Sequence, residues 1–331
     1  YGYRGGVIAP PWGYVEYGFY VAGWETDPAR RLEVLDKAVE LGTGALKAAD
    51  ESRVTSYPLF HYLSKALIFR AYIEPDTDKK RDLLQKALHY REINQSIFEP
   101  LWPFSYWDRG IGYGYISMIR HILAEIEPDP GDRIRLLEEA VSAQDKQLQL
   151  MYKVTPLYET QERMPPLATL AGRELRLATL LRRLYELTNE GEHLRRAIEA
   201  SQKAIVSASR GGWVSRVAES YWKIAQAQDT LKEHSQAAES FQHASESYAE
   251  AAEKIPQLRD FYHDYTSYMQ AWSEIEKAKQ RHGLKEYGTA KEHYEKAADL
   301  HKSTQRWSHL SSDYLAWARL EEAEDQSRTE Q

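Results

Sequence analysis

Apolar residues along this chain recur every three or four positions, and runs that alternate apolar with polar are few. The pattern is that of helices packed by one face and not of strands. Two stretches show it in full. Residues 232–248 and 285–301 each carry alanine, aromatic and alanine at spacings of four and three: Ala237, Phe241, Ala244 in one and Ala290, Tyr294, Ala297 in the other. Such residues share one helical face. The alanines let a neighbouring helix come close, and the aromatic fills the gap between them. Weaker copies stand at Arg31, Leu35, Ala38; Lys80, Leu84, Ala87; Arg133, Leu137, Ala140; and Ala197, Ser201, Ala204.

A second element precedes each of these, a large residue followed four positions later by one that is usually small. The pairs are Tyr14–Gly18, Tyr62–Ala66, Tyr115–Ile119, Leu180–Leu184, Tyr221–Ala225, Tyr268–Trp272 and Tyr314–Ala318. Between the two elements lie Asp27-Pro28, Glu74-Pro75-Asp76, Glu127-Pro128-Asp129-Pro130, Asn189-Glu190-Gly191 and His282-Gly283. Proline cannot continue a helix interior, and Asp or Asn caps the next N-terminus. The reading is a repeated helical hairpin, helix A followed by helix B. Residues 1–13 are Gly/Pro-rich and read as irregular. Residues 14–152 hold repeats one to three. Residues 153–166, with Pro156, Pro165 and Pro166, read as a joint. Residues 167–331 hold repeats four to six and helix A of a seventh. The register and the absence of an initiator Met lead to the expectation of a fragment whose array continues beyond residue 331.

These residues resemble the tetratricopeptide repeat (TPR) superfamily. Copy five carries its pattern as Tyr221, Ile224, Ala225, then Ala237, Phe241, Ala244. The units here are longer than the family's unit of about 34 residues. The Pro that usually ends helix B is missing from copies five and six, which implies longer helices and a looser superhelix. The resemblance implies an all-α, right-handed α-solenoid of about 13 helices with a concave face lined by A helices. Such faces bind peptides, partner domains or adjacent subunits and generally do no chemistry.

Composition narrows the function. The chain has 331 residues and no Cys, so disulfides, thiol nucleophiles and Cys-ligated metals are excluded. No apolar run nears 18 residues and no export signal is present, so the expected location is the cytoplasm. The net charge of -7 argues against a general nucleic-acid binder. That figure conceals a local excess. Residues 163–216 hold ten basic against five acidic side chains, among them Arg173, Arg176, Arg182 and Arg183. Arginine favours bidentate carboxylate or phosphate contacts. The plain alternative is a solvated face with internal ion pairs.

Aromatic residues supply the other candidates. Tyr62, Tyr115, Tyr221, Tyr268 and Tyr314 hold equivalent repeat positions and read as core with Ala66, Ala225, Trp272 and Ala318. Trp222 would face the concave side. Residues 96–107 contain Trp102, Tyr106 and Trp107 around two prolines and read as an ordered aromatic loop, either a binding hot spot or a cover over core. Gly110, Gly112 and Gly114 lack the strand and Lys of a nucleotide loop and suit close helix approach.

No catalytic residue, metal site or cofactor is assigned. The expected role is a non-enzymatic protein–protein interaction scaffold whose partner is a protein or peptide with an acidic segment, or a second copy of the chain. A second reading is a ligand- or protein-sensing regulatory domain of a signalling ATPase or effector. A third, a metal phosphohydrolase around His263 and Asp264, requires His234 and Asp313 to converge on them.

Overall fold

The computed structural model describes residues 11–51, 57–98, 106–159 and 166–329. Thirteen α-helices and no strand occur among the described residues. The chain divides into two compact units, one ending at Pro156 and the next beginning at Leu157.

Unit 1 pairs α1 (Pro11–Trp24) with α2 (Pro28–Glu51), α3 (Tyr57–Tyr72) with α4 (Thr77–Phe98), and α5 (Tyr106–Ile126) with α6 (Pro130–Glu159). Helix α1 begins at Pro11, inside the segment expected to be irregular, because Pro suits the first turn of a helix. Its turns are closed by capping aspartates. Asp27 Oδ1 accepts from Ala29 N at 2.8 Å, Asp76 Oδ1 from Lys79 N at 2.9 Å and Asp129 Oδ1 from Asp132 N at 2.8 Å. Arg31 Nε and Arg133 Nε each donate to a carbonyl six residues back, Glu25 O and Glu127 O, both at 3.0 Å. The core is aliphatic: Leu63, Leu67, Ile68, Leu84 and Ile119 pack with Ala71 and Ala87. On α5, Gly112 and Gly114 leave no room for a Cβ because the side chains of Gln95 and Gln147 lie against them. The close approach is therefore between glycine and a buried glutamine.

The division at Pro156–Leu157 falls inside the expected joint at 153–166. Residues 153–159 of it continue α6, with Pro156 inside the helix, where its missing N–H costs one hydrogen bond, and residues 160–165 lie outside the described residues. Of the expected aromatic loop at 96–107, residues 96–98 end α4 and 106–107 begin α5. Residues 99–105, which include Trp102, lie outside the described residues.

Unit 2 contains α7 (Pro166–Thr188), α8 (Gly191–Arg210), α9 (Val214–Thr230), α10 (His234–Lys254), α11 (Arg259–Gly283), α12 (Tyr287–Lys302) and α13 (Ser311–Thr329). Each packs on the next, and α7 also touches α9, the arrangement of TPR-like A–B hairpins. Ala225, Ala237, Ala244, Ala290, Ala297 and Ala318 are buried, as are Phe241 and Tyr294. Phe241 stacks on Trp272 at 5.7 Å, and Tyr294 on Tyr314 at 6.2 Å. Tyr221, Tyr268 and Trp272 are half-buried and pack against the same core. In unit 1, Ala66 is buried and Tyr62 packs on its cluster.

Candidate binding surface

The face shared by α7 and α9 follows from helical spacing. Thr179, Arg182, Arg183 and Glu186 fall at three- and four-residue steps on α7, and Lys223 and Gln226 do the same on α9. With the α8 residues Ala197 and Ser201 they line a cavity of about 270 Å³. Arg182 Nη1 donates to Gln226 Oε1 at 2.8 Å, and Lys223 Nζ to Thr179 Oγ1 at 3.3 Å. Glu186 lies 3.4 Å from Arg182 Nε and 2.8 Å from Arg183 Nη1. Three cations thus face one carboxylate.

Lys223 is the unusual member. It is half-buried, its one hydrogen bond is long, and no carboxylate among the described residues comes within 4 Å of it. Burial holds its ammonium below the ordinary value; Glu219 pulls it up, while Arg182 and Arg216 push it down. A partly desolvated ammonium without a carboxylate partner is costly, and an anion relieves that cost.

The structure brings Arg182 and Arg183 together with Lys223 but leaves Arg173 and Arg176 outside the cavity. Those two arginines are half-buried earlier on α7 and are engaged by other groups. Trp222, expected to present its ring to a partner, is half-buried and meets Tyr265 and Tyr268 edge-on at 5.8 and 6.2 Å. The side chains of Tyr106 and Trp107 lie outside the described residues. Thr179, Lys223 and Gln226 escaped the charge count, which stops at residue 216. Their signal was the repeat: Arg182 and Lys223 stand at one equivalent position, two residues after Leu180 and Tyr221.

A second polar cluster lies between α9, α10 and α11. Ligand atoms of Asp229, His234 and Glu276 lie within 4.8 Å of one another, a donor set that suits a transition metal. The Lys279 ammonium already bridges the carboxylates, at 2.7 Å from Asp229 and 2.6 Å from Glu276. His234 Nδ1 is 2.8 Å from Glu276 Oε2. Burial pushes the Glu276 carboxyl up, against its bonds to Lys279 and His234. The cluster is a clamp between helices in which Lys279 already stands between the two carboxylates. His263 and Asp264 are not part of it: His263 is exposed, and Asp264 Oδ1 accepts from Gln305 N at 2.9 Å. His234 therefore converges with Asp229 and Glu276 and not with His263, Asp264 and Asp313.

No protein-family model matches the chain, and no curated protein matches it. Solved structures resemble it at low identity. The apo form of RapI aligns over 93% of this chain and 85% of its own, at 12% identity and a TM-score of 0.48. The TPR2AB domain of yeast Sti1, in its pHSP90 complex, aligns over 93% of this chain and 99% of its own, at 15% identity and a TM-score of 0.29. A signal-transduction ATPase with a TPR sensor from Pyrococcus horikoshii aligns over 97% of this chain and 54% of its own, at 15% identity and 0.25. None of these likenesses bears on what the chain does. No described helix is long and apolar enough to cross a membrane.

Proposed function

We propose that the chain is a non-enzymatic interaction scaffold that holds an acidic segment of a partner protein against α7 and α9. One observation carries this reading: Lys223, half-buried with a single 3.3 Å hydrogen bond, faces a cavity shared with Arg182 and Arg183. A partner carboxylate entering there completes the ammonium's hydrogen bonds and meets an arginine fork, which supplies both orientation and on-rate. The cavity, at about 270 Å³, suits one or two acidic side chains and is small for an enclosed drug-sized ligand. The helices that carry it pack tightly by their alanines, so the surface is preorganised and little ordering entropy is lost on binding.

The test is a titration of the full chain with a labelled hexaglutamate peptide at low and physiological salt. Arg182→Glu/Arg183→Glu should abolish binding, and hexaglutamine should not bind. Equal binding of both peptides, or binding that survives the charge reversal, contradicts the proposal.

A further inference from the structure

Unit 1 carries a second half-buried lysine with different surroundings. Lys65 projects from α3 between rings of three A helices. Its Nζ lies 5.4 Å from the centre of Phe19 on α1, 5.5 Å from Tyr62 on its own helix and 5.7 Å from Tyr115 on α5. It makes no hydrogen bond and no ion pair among the described residues. Glu16 is the acidic group whose field reaches it, but Glu16 Oε1 accepts from Tyr62 Oη at 2.6 Å. Behind Tyr115 stands the Arg91 guanidinium, 4.5 Å from that ring's centre. Burial first, and Arg91 second, hold the Lys65 ammonium below its ordinary value, with Glu16 acting the other way. The three rings favour the cation but cannot accept conventional hydrogen bonds as an oxygen would.

Aromatic surface continues outward from this lysine. Phe19 meets Phe69 edge-on at 4.8 Å and Tyr20 at 5.3 Å, and Phe69 meets Tyr72 at 6.3 Å. Tyr20, Phe69 and Tyr72 are exposed by 51, 39 and 55%. A half-buried cation with no carboxylate within ion-pair distance among the described residues thus stands beside rings left in water. The rings gain from apolar contact and the ammonium gains from an anion. Glu16 opposes a second negative charge, so a monoanion fits better than a phosphate dianion.

We infer that Lys65 and the Phe19–Phe69–Tyr72 strip form a binding site for a peptide segment in which a carboxylate side chain sits next to aromatic residues. A peptide fits better than an enclosed small molecule because the strip is open and runs across two helices, α1 and α3. This site is separate from the Lys223 cavity and stands without it.

The experiment measures fluorescence anisotropy of labelled acetyl-Phe-Glu-Phe-amide with the full chain. The same peptide with Gln for Glu is the neutral control. The wild type should bind the Glu peptide about tenfold more tightly, a difference of about 1.4 kcal/mol. Lys223→Met, which removes the other proposed carboxylate site, should leave that preference, and Tyr72→Ala should weaken both peptides alike. Lys65→Met, which keeps the apolar stem over the rings, should erase the preference when added to Lys223→Met. Absence of a Glu preference in the wild type overturns the inference without any variant needing to fold. So does a preference that disappears with Lys223→Met alone, or one that survives in the Lys65→Met/Lys223→Met pair. Free phenylacetate that competes as strongly as the peptide overturns the peptide assignment.

Discussion

Units 1 and 2 repeat one helix pair but close its turns and fill its core by different means. Unit 1 closes α1–α2, α3–α4 and α5–α6 with capping aspartates and, in two of the three turns, an arginine bonded to a carbonyl six residues back. Unit 2 ends helices with residues in the left-handed region: Asn189, Gly212, Lys232 and Lys285, at φ 56°, 72°, 61° and 62°. After the last three, an N–H reaches five residues back: Trp213 to Ala208, Glu233 to Gln228 and Glu286 to Arg281. This is the Schellman geometry that satisfies the last carbonyls of a helix. Unit 1 packs leucines and isoleucines; in unit 2, α7 keeps that habit with Leu180, Leu181 and Leu184, while α9 to α12 pack aromatics over alanines. Polar ties follow the same division. Unit 2 joins helices through His–carboxylate pairs, His234–Glu276, His282–Glu321 and His293–Glu274, each under 3 Å. The lesson is that the hairpin is set by the spacing of apolar positions, and turn chemistry and core volume vary around it.

The largest expected effect tests the core difference. Phe241 sits between alanines on α10 and stacks on Trp272 of α11. Phe241→Ala should cost about 3–5 kcal/mol, more than Leu84→Ala in unit 1, where neighbouring leucines can partly fill the gap. Chemical denaturation of both variants checks this. Equal losses would remove the distinction between an aromatic-wedge core and an aliphatic one.

Next come two histidines held neutral. His301 is buried between Tyr268 and Tyr314, and neither ring nitrogen has a partner among the described residues. Burial pushes its pKa down from 6.5 to about 4, with His309 adding to the shift. In unit 1, burial, Arg91 and Lys65 push His61 down to about 3. A folded pKa below the unfolded one means that the unfolded chain takes up the proton first as pH falls. Stability is therefore lost from about pH 6.5 down to about 4 for His301, and to about 3 for His61. His301→Phe should stabilise the protein by about 1 kcal/mol at neutral pH, and by more at pH 5. Thermal melts against pH check it. A variant whose pH profile parallels the wild type removes His301 as a titrating site.

The smallest effect concerns the turns. Lys232→Gly should stabilise by about 0.5 kcal/mol, because glycine reaches the left-handed region without a Cβ penalty. Gly212→Lys should destabilise by about 1 kcal/mol. Opposite signs in the two melts are the expected result.

Helix number, pairing and the alanine–aromatic faces were legible because each depends on local period alone. Ala237, Phe241 and Ala244 must share a face whatever they meet. The proposed binding surface was legible only in part. Arg182 and Arg183 stood out in a charge count, but Lys223 did not, because its value comes from burial and from Thr179 and Gln226 across the α7–α9 contact. Trp222 is half-buried, and one sequence cannot show that Tyr265 and Tyr268 meet it edge-on. Lys65 was invisible for the same reason: Phe19 and Tyr115, which surround it, belong to other helices. Pro156 was read with Pro165 and Pro166 as part of a joint, and it lies in the last described turn of α6.

The central claim is that Lys223 serves binding at a cost to the fold. The most direct measurement pairs hexaglutamate affinity with stability for wild type and Lys223→Met. Burial holds this lysine's folded pKa below its ordinary value, so the wild type gains stability as pH rises through that folded value, and the variant lacks this gain. At neutral pH, Lys223→Met should be more stable by about 0.5–1 kcal/mol and should bind about tenfold more weakly. A variant that is less stable, or that binds hexaglutamate as well as the wild type, contradicts the account.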